Sequence, residues 1–164
     1  MAPSYILLPP LFALAGYWEV RSRRIPNWLT VSAMVCGLLA APMTGGWPAL
    51  KAALLGGLVG GGVFLPFFLL GVMGGGDFKL MTAVGVIVGY PMVWSVLYFT
   101  CLSGGALALI YMIMSGRFFA TLAGVGRVLL GRRRRTGSGL QKAPTIPYGI
   151  AIAIGTLWAI LRVL

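Results

Sequence analysis

Long apolar stretches fill most of this 164-residue chain and are separated by short polar or glycine-containing breaks. Their lengths approach the ~20 residues that an α-helix needs to cross the hydrocarbon layer of a membrane. Six such stretches can be read, at about residues 5–20, 28–43, 52–73, 77–89, 92–114 and 146–163. The pattern therefore predicts an all-α membrane protein, in which residues 1–164 form a single domain built as a bundle of six transmembrane helices.

Prolines and glycines predict where these helices start, stop and pack. The prolines at 9–10 predict a kink or a late start of the first helix, and Pro26 disfavours helical geometry at the residue before it. The glycines at 45–46 predict a short turn between the second and third helices. The glycine-rich stretch at 56–62 contains glycines four residues apart, which let the backbone of another helix approach closely.

Composition excludes several classes of protein. Hydrophobic residues make up 59% of the chain and charged residues only 9%, which rules out an ordinary soluble domain. The chain has no histidine, so a His-ligated metal site and a Ser-His or Cys-His nucleophile pair are excluded. Cys36 and Cys101 lie inside apolar stretches and form no CxxC motif, which favours neither a zinc site nor a disulfide framework. We therefore expect no metal and no cofactor.

Basic residues predict the orientation in the membrane. Thirteen Lys and Arg against two acidic residues give a net charge of +11, and most of the basic residues lie in two loops, at 21–24 and about 115–145. Such loops belong on the cytoplasmic side and contact anionic lipid headgroups. The longer loop begins with apolar residues at near-helical spacing, as in an interfacial amphipathic helix. Both termini are then periplasmic, and nucleic acid is not an expected partner because no basic face separate from the membrane exists.

The only two acidic residues, Glu19 and Asp77, fall at the same predicted membrane face and at matching depth. An ionisable side chain in a membrane segment costs up to about 2.5–3.5 kcal/mol, so retention of these two in a chain with no other acid indicates a joint role. Two carboxyl groups that share a site do not both ionise easily. The ionised one can draw a proton from water while the protonated one polarises a peptide carbonyl, which is aspartyl protease chemistry and needs no metal.

Each of these residues also has a purely structural interpretation, and the pattern leaves both open. Asp77 precedes a helical stretch, where aspartate is a favoured N-cap that contributes about 1 kcal/mol. Glu19 can pair with Arg23 one turn later, an interaction of about 0.3–0.5 kcal/mol. Lys79 is either an interfacial lysine whose stem covers apolar surface or a cation that tunes the carboxylate pair.

Three local sequences carry a resemblance to a known family. Residues 74–80 read GGGDFKL, residues 23–30 read RRIPNWLT, and residues 144–149 read PTIPYG. The first resembles the GxGD motif of the type IV prepilin peptidases, the second the segment just after that family's first catalytic acid, and the third the start of its last helix. Order and spacing agree over nearly the whole chain, and the short form is most similar to peptidases of tight-adherence (Flp) pilus systems.

The resemblance implies a six-helix fold with catalytic acids at the cytoplasmic ends of the first and fourth helices, here Glu19 and Asp77. Glycines of the motif would let the backbone pass close to substrate because they have no Cβ. The residues marked in this way as supporting or substrate-binding are Gly74, Gly76, Lys79, Pro26 and Asn27.

The implied function is that of a multi-pass peptidase of the bacterial inner membrane. It would cleave the leader from type IV or Flp pilin precursors at the cytoplasmic face, after a glycine and ahead of the pilin's hydrophobic helix. Leaders of this class are basic. Larger family members carry an N-terminal N-methyltransferase region with a cysteine-zinc motif, which this chain lacks, so we expect no methylation of the mature pilin. The oligomeric state stays open.

One position departs from the family pattern. The family's first catalytic residue is aspartate, and the matching residue here is Glu19. The additional methylene moves the carboxyl group by about 1 Å, and misplacement of that order can lower a rate about a hundredfold. A working variant, an impaired relative and a deliberate substitution all fit the sequence. The alternative function is therefore a membrane assembly component that binds prepilin without cutting it, and a protease acting on other substrates also stays open.

Overall fold

The computed structural model describes residues 3–22, 25–70, 73–114 and 148–162, and all regular structure in these ranges is helical. A 3-10 turn, Pro3–Leu7, comes first. The α-helices are α1 Leu8–Ser22, α2 Asn27–Leu69, α3 Gly75–Val88, α4 Val93–Met114 and α5 Tyr148–Leu161. The all-α class is thus confirmed for the described residues. The predictions for Arg23, for the basic loop at 115–145 and for residues 144–147 lie outside them.

Helix α1 starts late, as its prolines predict. Pro9 and Pro10 occupy the first turn, where the missing N–H groups would have had no helical partner. The helix ends at Ser22, Ile25 lies outside any helix, and Pro26 is extended, with φ −64° and ψ 139°.

Helix α2 is a hairpin of two helical halves. Its backbone leaves helical geometry at Gly45 (φ −148°, ψ 17°) and Gly46 (φ 63°, ψ −152°), and the second of these conformations is one that glycine adopts without a steric penalty. The turn predicted at 45–46 is confirmed. It is shorter than the predicted gap between residues 43 and 52, because the helix resumes immediately after Gly46.

The second half of α2 runs antiparallel to α3. Gly61 lies against Phe78 near the start of α3, whereas Gly56 lies against Gly85 near its end. A Cβ added at Gly56 would collide with the carbonyl oxygen of Gly85, so the two backbones are in direct contact. The close helix approach predicted from the glycines is confirmed, and it fixes the position of α3.

The first half of α2 runs parallel to α3. The Lys79 ammonium contacts Asn27 at one end of this pair, and Gly37 lies against Val86 at the other. Since α3 is parallel to one half of α2 and antiparallel to the other, the halves run in opposite directions. Among the described residues the chain therefore forms six helical segments.

Helices α4 and α5 form an antiparallel pair. Gly155 lies against the backbone of Thr100, and the Ser103 hydroxyl donates a 2.8 Å hydrogen bond to the carbonyl oxygen of Ala151. This pairing brings the start of α5 to the end of the bundle at which α1 finishes and α3 begins.

Two described helices, α2 and α4, are long and apolar enough to cross a membrane. Helix α5 is apolar but shorter. The halves of α2, 27–44 and 47–69, are about 27 and 35 Å long at 1.5 Å per residue, close to the thickness of a bilayer core. The six-crossing bundle and its periplasmic termini stay predictions.

Candidate active site

Glu19 lies in the last turn of α1 and points toward the start of α5. Its Oε1 accepts a 3.2 Å hydrogen bond from the backbone N–H of Gly149. Its Oε2 is buried and receives no hydrogen bond from the described residues. One oxygen of the carboxylate is therefore held by the chain and the other has its hydrogen-bonding capacity unused.

Asp77 is the third residue of α3 and is half-buried. Gly74, with φ −72° and ψ 146°, is the N-cap, and its backbone N–H interacts with the Asp77 carboxylate. A carboxylate at the third helical position is suited to this contact, and it also lies at the positive end of the helix dipole. The N-cap interpretation of Asp77 is therefore wrong: α3 starts two residues earlier, and Asp77 lies within its first turn.

The two carboxyl groups lie at one end of the bundle. Glu19 is in the last turn of α1 and Asp77 is in the first turn of α3. Gly76, next to Asp77, packs against Ile25, which follows α1. Between them they offer a carboxylate oxygen that has no hydrogen-bond partner among the described residues, and a second acid in a half-buried setting. Such a pair can share a proton, as general acid–base catalysis by two carboxyl groups requires.

Lys79 and Asn27 contact each other. Lys79 Nζ donates a 2.9 Å hydrogen bond to Asn27 Oδ1, which joins the first turn of α3 to the first residue of α2. Pro26 is the N-cap of α2, with φ −64° and ψ 139°, and so sets the position of Asn27. Three of the predicted supporting residues thus form one connected unit at the starts of α2 and α3, the second of which carries Asp77.

The two motif glycines differ in what they face. A Cβ at Gly76 would lie 3.1 Å from the Cβ of Ile25, so Gly76 allows the start of α3 to pack against the α1–α2 connection. Gly74 is exposed, and the nearest atom to a Cβ there would be Asp77 Oδ2, at 3.2 Å. Close passage of a substrate backbone is therefore compatible with Gly74, whereas at Gly76 the space is taken by the chain itself.

A family model places this arrangement among known proteins. Residues 6–112 match the type IV leader peptidase family, a range that includes Glu19, the glycine motif and Asp77. The chain belongs to the type IV leader peptidase family. No curated protein and no solved structure matches it.

The match to the leader peptidase family ends within α4, so α5 lies outside it. The sequence pattern indicated Gly149 only as part of the start of the last helix, and predicted no role for it. The available signal was a glycine in the first turn of that apolar helix, at the predicted membrane face of both acids. Within the described ranges, no cluster of three or more His, Cys, Asp or Glu residues is present.

Proposed function

We propose that this protein is a prepilin leader peptidase in which Glu19 and Asp77 act together as general acid and base. The family match supports leader hydrolysis, and the placement of both carboxyl groups at one end of the bundle supports their joint action. That placement is the observation on which the assignment depends, because acids at opposite ends of the bundle would offer no shared site for a water molecule.

The proposed reaction is hydrolysis of one peptide bond. The ionised carboxyl group takes a proton from water as the water oxygen attacks the carbonyl carbon, and the protonated one donates a hydrogen bond to the carbonyl oxygen. Collapse of the tetrahedral intermediate breaks the C–N bond, and a carboxyl group delivers the proton that the departing amine nitrogen needs. The products are a leader with a free carboxylate and a mature pilin with a free amino terminus.

The proposed setting is the cytoplasmic face of the bacterial inner membrane, with type IV or Flp prepilins as substrates. The apolar α2 and α4 support a membrane location, and the basic residues at 21–24 and within 115–145 support the orientation. The hydrophobic helix of the prepilin would enter laterally while its leader stays at the interface. Because leaders are themselves basic, the arginine-rich loop is assigned to anionic lipid rather than to substrate.

Purified protein incubated in detergent with a purified Flp-type prepilin tests the proposal. Asp77→Asn and Glu19→Gln should each lower kcat by about a hundredfold to ten-thousandfold, because each removes a proton-transfer group. Tyr17→Phe is the matched control, since it changes an exposed side chain on the same helix as Glu19 and leaves both carboxyl groups in place. Undiminished cleavage by Asp77→Asn would reject the assignment.

A prepilin-binding component that does not cut is the second candidate, and Glu19 is the observation that favours it. Its side chain is one methylene longer than the family's aspartate, and its carboxylate accepts a hydrogen bond from the first turn of α5. Glu19→Asp separates the two functions. Cleavage equal to or above that of the starting protein supports the peptidase, whereas inactivity of both proteins with prepilin binding retained supports the non-cleaving component.

A further inference from the structure

The first turn of α5 supplies the hydrogen-bond donor that holds Glu19. Gly149 is the second residue of that helix, and first-turn N–H groups have no partner within their own helix. The Gly149 N–H is directed instead at Glu19 Oε1, 3.2 Å away. Gly149 is buried, so this donor has little access to solvent when Glu19 is in place. The contact joins residues 130 positions apart in sequence.

Because position 149 is glycine, the Glu19 carboxylate can occupy the space that a Cβ at that position would need. A Cβ there would lie 2.5 Å from Oε2, 3.2 Å from Cδ and 3.4 Å from Oε1 of Glu19. All three of its nearest neighbours belong to that one carboxyl group. At Gly155, on the same helix, the nearest neighbours are atoms of Thr100, so that glycine serves the packing of α5 on α4.

We infer that Gly149 is a positioning residue for Glu19: its N–H orients the carboxylate and its lack of a Cβ admits the additional methylene of a glutamate at position 19. This inference rests on the proposed function. An aspartate at position 19 would carry a side chain shorter by one methylene, and would leave room for a Cβ at position 149. Glutamate at 19 therefore uses the space that glycine leaves at 149.

Gly149→Ala in the prepilin assay tests the inference. The new methyl group must push the carboxylate aside by about 1 Å, so we expect kcat to fall about tenfold to a hundredfold while KM stays within about a factor of two. In a protein that also carries Glu19→Asp, the same change should leave kcat within about threefold of that of Glu19→Asp alone. Gly16→Ala is the control, because a Cβ there has no neighbour within 4 Å.

Three results would overturn the inference: an unchanged kcat for Gly149→Ala, an equal loss in the Glu19 and Glu19→Asp proteins, or a loss confined to KM. Thermal unfolding in detergent gives a readout that does not need catalysis. Gly149→Ala should lower Tm in the Glu19 protein but not in Glu19→Asp, whereas Gly155→Ala should lower Tm in both. An inactive starting protein would thus reject the proposed function alone, and equal Tm losses for Gly149→Ala in both proteins would reject the positioning role.

Discussion

The side chains of Lys79 and Asn27 form a hydrogen bond near the starts of α2 and α3. A hydrogen bond between an ammonium group and an amide oxygen contributes about 1.5–3 kcal/mol at most, and exposure to solvent reduces this. The bond links the first turns of α2 and α3, and Asp77 lies in the same turn as Lys79. Its expected contribution is therefore to the placement of Asp77 more than to overall stability.

Removal of this bond should lower activity modestly. We expect Asn27→Ala to lower kcat about threefold to tenfold and to lower the free energy of unfolding by about 1 kcal/mol. Lys79→Met should do the same, and the double variant should lose no more than either single one, because both changes delete one interaction. Steady-state kinetics and unfolding in detergent measure these effects.

Lys51→Met is the matched control for the lysine change. Lys51 is exposed and lies just after the turn at Gly45 and Gly46, at the end of the bundle away from the carboxylates. Its kcat should equal that of the starting protein. Additive losses in the Asn27 and Lys79 double variant would show that the two residues act separately.

The contact between α2 and α3 determines where Asp77 lies, because α3 carries it. The contact is made of glycine backbone: Gly56 meets Gly85, and a Cβ at Gly60 would lie 2.9 Å from the carbonyl oxygen of Met81. Backbones this close gain dispersion contacts over their whole length, which is how helices associate when lipid surrounds them. A side chain at the interface would have to separate the helices.

Two glycines of the same helix should respond to alanine with opposite signs. Gly56→Ala should lower the free energy of unfolding by about 1–3 kcal/mol, because its Cβ collides with backbone rather than with a side chain that can move. Gly62→Ala should leave stability unchanged or raise it by about 0.5–1 kcal/mol, since a Cβ there has no neighbour within 4 Å and alanine restricts the unfolded chain.

Thermal unfolding of both variants in the same detergent measures the contrast. Gly56→Ala should also reduce prepilin cleavage, because α3 shifts together with Asp77. Equal stability of the two variants would show that the α2–α3 contact is looser than the structure has it.

The helices could be predicted from sequence because their signals are local. Apolar stretches of the right length, the prolines in the first turn of α1 and the glycines at 45–46 each act on the residues beside them. The start of α3 could not be predicted, because glycine is a poor helix former and Gly75 and Gly76 nevertheless open the helix. Their packing against Phe68 and Ile25 explains why tertiary contacts override that preference.

The sequence predicted that Glu19 and Asp77 lie at one membrane face and act together, but it did not predict the contact between Glu19 and Gly149. Periodicity places a residue on a helix face but does not say which distant helix meets that face. Gly149 lies 130 residues from Glu19, and its contact depends on how α5 packs against α4 and α1. Such a contact is a property of the assembled bundle.

The bundle as a whole has two distinct ends. One end holds the end of α1 and the starts of α3 and α5, with Glu19 and Asp77. At the other end the Tyr5 hydroxyl contacts Met92 Sδ at 3.5 Å, and the backbone of Tyr90 bonds to that of Ala52 at 2.8 Å. Successive helical segments therefore alternate in direction, which is the arrangement that a chain crossing a membrane several times requires.

This polarity predicts opposite accessibility for two exposed cationic positions, Arg21 at the site end and Lys51 near the α2 turn. In a protein with Cys36 and Cys101 replaced by alanine, Lys51→Cys should react with a membrane-impermeant maleimide added outside spheroplasts. Arg21→Cys should react only after the inner membrane is permeabilised. The reason is that clusters of basic residues are retained on the cytoplasmic side, and three of the residues at 21–24 are arginines.

Permeabilised cells provide the control, since both cysteines should then react because both side chains are exposed. Labelling of both from outside would mean that the first half of α2 does not cross the membrane. Labelling of Arg21→Cys alone from outside would place the carboxylates in the periplasm, where the leader of an untranslocated prepilin never arrives. The site therefore has to face the cytoplasm if the two carboxyl groups are to meet the peptide bond that they are proposed to cleave.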